Sequence, residues 1–372
     1  MQAAVDDANA LNEGAPLKLE VFNTAVGPDG AVVVAQRIAD DPAVLAVVVQ
    51  GEEGVAKAPM AVFKQAHLAV IAASSWAQPR PAEAYATWLS PGLTELAGTA
   101  ALFAKREGHR QQIAVVDDGS ATSTAAVKAF AGRYRALGGK VAIEATWAGD
   151  ESGLSDTVKA LDVHWPQMVF YAGNAESAGR LVLAMKGEKA LKNADLFGLP
   201  PLFDSAFFET TGLKGMRTRA VFPCPDYDGM GLLVRDLGFA FPRTSPQYRA
   251  YLHFAFRHPG RWTSMLYDGA ALAARAVRIA QAPMPMSPSP EAATGTAAVA
   301  AVNPSVSSAS APTREAVRVA LLNIGGYRGI RGDVKFNAAR EPTDAKALVY
   351  FALNRVNRKE MLWKQRAYGP PF

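Results

Sequence analysis

A single cysteine, Cys224, in 372 residues excludes an intrachain disulfide and a cysteine metal site. No apolar run reaches the roughly 18 to 20 residues that a membrane-spanning helix needs. The five histidines, His67, His109, His164, His253 and His258, are scattered, and the last two are five apart, off one helical face. Neither a nucleophile elbow nor a phosphate loop is present, so no catalytic set, metal or cofactor is expected. Lys and Arg (39) outnumber Asp and Glu (34), giving a net charge of +5, yet no basic run is interleaved with aromatics, which argues against a nucleic-acid partner. A secretory signal is also missing from this sequence. Met1 leads into QAAVDDANALNEG, where Met1, Val5, Ala8 and Leu11 share one helical face, so the chain is expected to start inside a helix.

What is there is an ordinary globular composition, 49% hydrophobic and 20% charged, long enough for two lobes of normal size. Val44 to Val49 is an unbroken apolar, β-branched run that fits a strand covered on both faces. Gln50 and Gly51 close it. A helix is expected from Glu52 to Gln65, and Leu68 to Ala72 is a second buried strand ending in Ala73, Ser74, Ser75 and Trp76. Strand, loop, helix, strand is one turn of a parallel α/β sheet, whose ligands sit outside the carboxyl ends of the strands.

The same alternation runs along the chain. Leu17 to Phe22 alternates as a strand does, and a helix follows from about Ala31 to Ala39. Helical spacing predicts Leu93 to Arg106, Ser123 to Leu137, Leu154 to Asp162 and Glu176 to Lys189; strands are predicted at Ile113 to Val116, Val141 to Trp147, Met168 to Ala172, Leu196 to Leu199 and Arg219 to Phe222. Pro223 to Asp228 reads as a crossing between lobes, followed by helices at Pro246 to Arg257 and Tyr267 to Gln281. Pro283 to Pro312 holds six prolines, no aromatic and one charge, Glu291, so it reads as a flexible insertion. Thr313 is an expected N-cap for a helix to about Leu322, and Val334 to Phe336, Ala347 to Leu353 and Met361 to Lys364 read as a closing antiparallel set. Gly325, Gly326, Gly329 and Gly332 read as turn residues, because a strand rather than a helix follows them.

In order and spacing, the pieces AVDDANALNEG, ADDPAVLAVVVQG, HLAVIAASS, IAVVDDGSATS, MVFYAGNAESAG, SMLYDGAALAARAV and GYRGIRGDVKF resemble the type I periplasmic binding proteins, in the leucine/isoleucine/valine-binding branch that serves ABC transporters. The resemblance implies two doubly wound, Rossmann-like α/β lobes joined by three crossovers: residues 1–110 and 226–330, and residues 111–225 and 331–372. It also implies a small-molecule ligand, an amino acid or amide-like compound, closed between the lobes on a hinge, with a membrane permease as partner and an extracytoplasmic location. A sensory or regulatory module of the same fold is the alternative. Relative to that family the chain starts late, and an N-terminally truncated first lobe is expected. There the Leu17 strand either slides to pair with the Val44 strand or stays attached at a gap.

By that resemblance Ser74 and Ser75 hold a ligand carboxylate, the alternative being that they cap the following segment. Trp76 either walls the cleft or packs. Gly54 lies in a turn where Glu52 and Glu53 would repel a carboxylate and suit a cationic or amide group, unless they simply face solvent at a helix N-terminus. Asn174, after the Met168 strand, and Asp204, after the Leu196 strand, stand at the positions implied to meet the ligand from the second lobe; both are also ordinary turn residues.

Overall fold

The structure is a computed structural model that describes residues 1–11, 14–23, 27–51, 53–74, 86–203, 205–215, 217–223, 263–281, 311–329, 332–343, 348–355 and 360–366. The helix expected at Pro246 to Arg257, the crossing after Pro223 and nearly all of the Pro283 to Pro312 insertion lie outside these residues.

Two parallel sheets carry the fold. The first is built from β1 (Ala46–Val49), β2 (Ala69–Ala72) and β3 (Ala86–Trp88) in that spatial order. Val47 is in register with Val70 and Ile71 with Thr87. Because side chains alternate across a strand, Leu68, Val70 and Ala72 point to one face of this sheet, where Ala35, Ile38 and Phe63 cover them. Those three come from α2 (Gly27–Asp40) and α4 (Met60–Gln65), which with the short α3 (Glu53–Lys57) form one layer. Ala69 and Ile71 point to the other face, into the cluster that holds Leu272, Ala276, Val317 and Leu321. A single helix was expected from Glu52 to Gln65; it is interrupted between Lys57 and Met60, where Pro59 takes the N-cap position of α4.

The second sheet has seven strands in the order β12-β11-β8-β7-β6-β4-β5. Five of them are parallel: β4 (Gln112–Asp117), β5 (Lys140–Thr146), β6 (Met168–Ala172), β7 (Asp195–Gly198) and β8 (Thr218–Phe222). The antiparallel pair β11 (Leu348–Arg355) and β12 (Glu360–Arg366) closes it, with Val349 opposite Val221. One face is covered by α5 (Leu93–Arg106) and α6 (Ala121–Ala136), through Leu96, Phe103 and Phe130 against Phe170, Phe197 and Val221. Phe130 stacks on Phe170 with centroids 3.9 Å apart, and Phe103 meets Phe197 edge-on at 5.8 Å. On the opposite face α7 (Leu154–Val163), α8 (Ala175–Met185) and α9 (Ser205–Thr211) cover Val169, Tyr171 and Leu196. α5 precedes residue 110 in sequence and packs on the second sheet.

Chain from far downstream completes the first sheet. The helices α10 (Thr263–Gln281) and α11 (Arg314–Asn323) supply the cover on the Ile71 face. Thr313 is the N-cap of α11, its Oγ1 accepting from Ala316 N–H at 3.2 Å. Arg314 then donates to the carbonyls of Ala39 and Val44, both at 2.9 Å, and of Asp41, tying α11 to the end of α2. α1 (Gln2–Ala10) packs on α10, where Tyr267 Oη donates to Asp7 Oδ2 at 2.5 Å.

Leu17 to Phe22 forms no strand, a second correction. Asn9 brackets Leu17, its amide donating to the carbonyl and accepting from the N–H, each at 2.8 Å. Leu17 and Phe22 are partly buried, Leu17 against the cluster that holds Ile71 and Phe22 against the one that holds Val70, but among the described residues the segment joins no ladder, and β1 pairs only with β2. Alternation placed two side chains correctly without supplying a backbone partner. The glycine-rich stretch read as turns is a hairpin, β9 (Gly326–Gly329) and β10 (Gly332–Lys335), with Tyr327 opposite Val334.

Candidate functional site

The carboxyl ends of the parallel strands define the candidate site. At the first sheet, Ser74 is fully buried just past β2, and its Oγ accepts from the Gly51 N–H at 3.1 Å. One hydroxyl thus joins the loops that follow β1 and β2. Ala73 N–H donates to Val49 O at 2.8 Å, which fixes the same junction from the backbone. Past β3, Ser90 is also buried, its Oγ donating to Pro91 O at 3.0 Å, immediately before α5 begins at the Gly92 N-cap. Sequence reasoning missed Ser90; the Ser-Pro-Gly run before a strongly periodic helix is the signal that marks it.

At the second sheet, Asp117 ends β4 with its Oδ1 accepting from Gly119 N–H at 2.8 Å, and Asp118 Oδ1 accepts from Ser120 N–H at 2.9 Å. Gly119 has φ +82, a conformation that glycine adopts without strain. Ser120 caps α6 by accepting from Ser123 N–H at 3.2 Å. Past β6, Asn174 caps α8: its Oδ1 accepts from the Ser177 N–H and hydroxyl, both at 2.9 Å. Tyr171 Oη lies 2.7 Å from Ser177 Oγ, and Trp147 packs beside the ring while its Nε1 donates to Asp150 O at 2.9 Å. A side chain at Gly149 would put Cβ 2.9 Å from Ser177 Cβ, so only glycine fits against this network.

Burial raises the Tyr171 hydroxyl to a pKa of about 12, the hydrogen bond to Ser177 opposing the shift and Asp118 adding to it. A phenol whose folded pKa exceeds the ordinary value near 10 contributes stability that is complete below about pH 10 and is lost as pH rises toward 12. Tyr171→Phe should therefore flatten the alkaline limb of a plot of melting temperature against pH. An unchanged limb would remove Tyr171 as its source.

Of the residues predicted from sequence, the structure brings Ser74 to the end of β2, Asn174 to the end of β6 and Gly54 into α3. Ser75, Trp76 and Asp204 lie outside the described residues. Asn174 is exposed and committed through its oxygen to a cap. Among the described residues no cluster of His, Cys, Asp and Glu could hold a metal ion, and no helix is long and apolar enough to cross a membrane.

Comparison with known proteins agrees with this fold. A sequence model of the periplasmic binding protein family matches residues 1–353. No curated protein sequence matches the chain. Among solved structures, it is similar to the branched-chain amino acid transporter substrate binding protein LivJ of Streptococcus pneumoniae in complex with isoleucine, with TM-score 0.70 and 15% identity over 99% of this chain and 92% of that one. An ABC transporter substrate-binding protein of Desulfitobacterium hafniense in complex with Leu superposes with TM-score 0.69 and 12% identity over 98% and 95%. A solute binding protein of R. palustris in complex with 4-hydroxybenzoate does so with TM-score 0.69 and 13% identity over 100% and 92%.

Proposed function

The chain belongs to the periplasmic binding protein family, and on that premise we propose that it is the solute-binding component of an ABC importer, capturing an amino acid or amide-like small molecule between two lobes and presenting it to a membrane permease. The first lobe is built on β1–β3 with α10 and α11, the second on the seven-stranded sheet with α5 to α9, and the cleft lies at the carboxyl ends of both sets of strands. Such a protein acts outside the cytoplasm and carries out no chemistry of its own.

The observation that carries this reading is Ser74, a buried hydroxyl at a strand end that also organises the neighbouring loop through Gly51. A hydroxyl set among backbone N–H groups suits a carboxylate. The ligands named for the similar structures, isoleucine, Leu and 4-hydroxybenzoate, share that group. Ser75, Trp76 and Gly54 are assigned to the same side. Asn174, at the end of β6, is assigned to the second lobe's side, as is Asp204 by the sequence resemblance alone, and the acidic end of β4, Asp117 and Asp118, favours a ligand that carries a cation or N–H donors as well.

The test is a thermal-shift screen of amino acids, amides and aromatic acids, since a ligand at about 100 times its Kd adds roughly 2.7 kcal/mol of stability. For the ligand so found, Ser74→Ala should weaken binding by about 1–3 kcal/mol, measured by calorimetry. Unchanged affinity would remove Ser74 from the site, and no shift with any small molecule would remove the transport reading.

A further inference from the structure

The end of the second sheet opposite the candidate cleft carries an arrangement that ligand capture does not use. The loops entering β5, β4, β6, β7 and β8 lie side by side there, and at the usual spacing of strands they span about 19 Å. Hydrogen bonds knit them into one edge. Lys140 N–H donates to Gln111 O at 2.9 Å, Gln111 N–H to Gln167 Oε1 at 2.7 Å, Asp195 N–H to Gln167 O at 3.1 Å and Leu196 N–H to Arg217 O at 3.3 Å. On this edge, Val163 and Trp165 at the end of α7 are 75% and 60% exposed. An indole exposed to water is costly, and Trp165 also has φ +48, a backbone state that glycine enters at no cost and a bulky residue does not. His109 (φ +49) and Arg217 (φ +69), on the same edge, share that strain.

The same edge carries exposed Lys140, Lys189 and Lys192, while Arg110 and Arg217 pair with Asp195 and Lys186 donates to Lys192 O at 3.1 Å. The acids on the edge are Glu107, Asp162, Glu188 and Asp195. Asp195 is buried under Arg110, Arg217 and Arg219, and Asp162 accepts from Ala190 N–H at 2.8 Å, so both are committed inward. Helix dipoles account for cations in the last turn of a helix, such as Lys105 and Arg106 of α5. They do not account for Lys140, Lys189 and Lys192, which stand beyond the last turns, nor for a strained tryptophan on the same edge.

We propose that this edge is a docking surface for an anionic lipid bilayer: Trp165 and Val163 enter the headgroup boundary, and Lys140, Lys189 and Lys192 pair with lipid phosphates. An indole has an apolar body and a donor N–H, which suits the wet boundary of a membrane. Each cation near an anionic bilayer adds roughly fivefold to the affinity, so several exposed cations and one aromatic suffice for reversible attachment.

The test is co-sedimentation of the full chain with vesicles of phosphatidylcholine alone and of phosphatidylcholine with about one third phosphatidylglycerol. The chain should pellet with the second and not the first, and added salt should release it. Trp165→Gly removes the indole while fitting the backbone, and K189E/K192E reverses two exposed charges; each should cut vesicle binding by at least about fivefold with an unchanged urea midpoint. Failure of the native chain to pellet with the anionic vesicles overturns the proposal. So does equal binding by both variants, or retention on an acidic protein or nucleic acid without vesicle binding.

Discussion

Asp195→Asn is expected to lower stability by about 3–5 kcal/mol, the largest loss from any single substitution described here. Asp195 begins β7, is 1% exposed, and pairs with Arg110 and Arg219 through Oδ2 and with Arg217 Nε at 3.1 Å through Oδ1. Asparagine keeps the volume and removes the one negative charge that holds three guanidinium groups together. Two cations about 4 Å apart repel by roughly 4 kcal/mol at an effective dielectric of 20, and Arg110 and Arg219 are too enclosed for water to screen them fully. Lys186 adds to the strain: its pKa is lowered by burial first and by Arg217 second. Urea unfolding should show the loss as a lower midpoint at unchanged slope, partly restored by salt. A loss under about 1 kcal/mol would mean that the arginines splay into solvent without cost.

Arg340→Met should cost about 3 kcal/mol or more. Arg340 is 5% exposed, and its guanidinium donates to Leu321 O at 2.8 Å, Ile324 O at 2.7 Å and Thr87 Oγ1 at 3.2 Å. It therefore closes the carboxyl end of α11, where a cation is favoured, and anchors it to β3. Its own carbonyl accepts from Trp88 N–H at 2.9 Å, and Phe336 lies under the guanidinium with its centroid at 4.6 Å. Methionine fills the space but leaves two buried carbonyls without their donors. The φ of +61 persists in either residue, so a control is Arg340→Lys, which keeps charge and loses the fork. If methionine and the native residue unfold at the same urea concentration, the clamp has no energetic role.

How much of this was legible depended on whether the deciding interaction was local. Met168–Ala172 and Leu93–Arg106 were read to the residue, because an unbroken apolar run and a clean helical period each announce themselves within one element. Ser74 and Asn174 were legible as polar residues following such runs. Ser90 was not, because β3 is three residues long and exists only through its register with β2. Leu17 to Phe22 failed in the opposite sense, having the alternation of a strand without a neighbour to pair with. The Asp195 cluster was invisible for a similar reason. Arg110, Asp195, Arg217 and Arg219 converge only once β4, β6, β7 and β8 are laid side by side in an order that no local pattern encodes. Packing likewise decided that α5 belongs with the second sheet, where its buried stripe meets Phe170 and Phe197.

The dependence of the first sheet on α10 and α11 sets an order of events during synthesis. The parallel core of the second sheet, Gln112 to Phe222, is one unbroken stretch of chain and can close as soon as it clears the ribosome. The first sheet cannot, because Ala69 and Ile71 stay uncovered until residues 263–323 arrive. At 5–20 residues per second the wait between Trp88 and Thr263 is roughly 10–35 s. Throughout that interval the N-terminal segment exposes an apolar face and open strand edges, the condition that invites aggregation and chaperone capture. The segment made first thus waits for chain made more than 170 residues later.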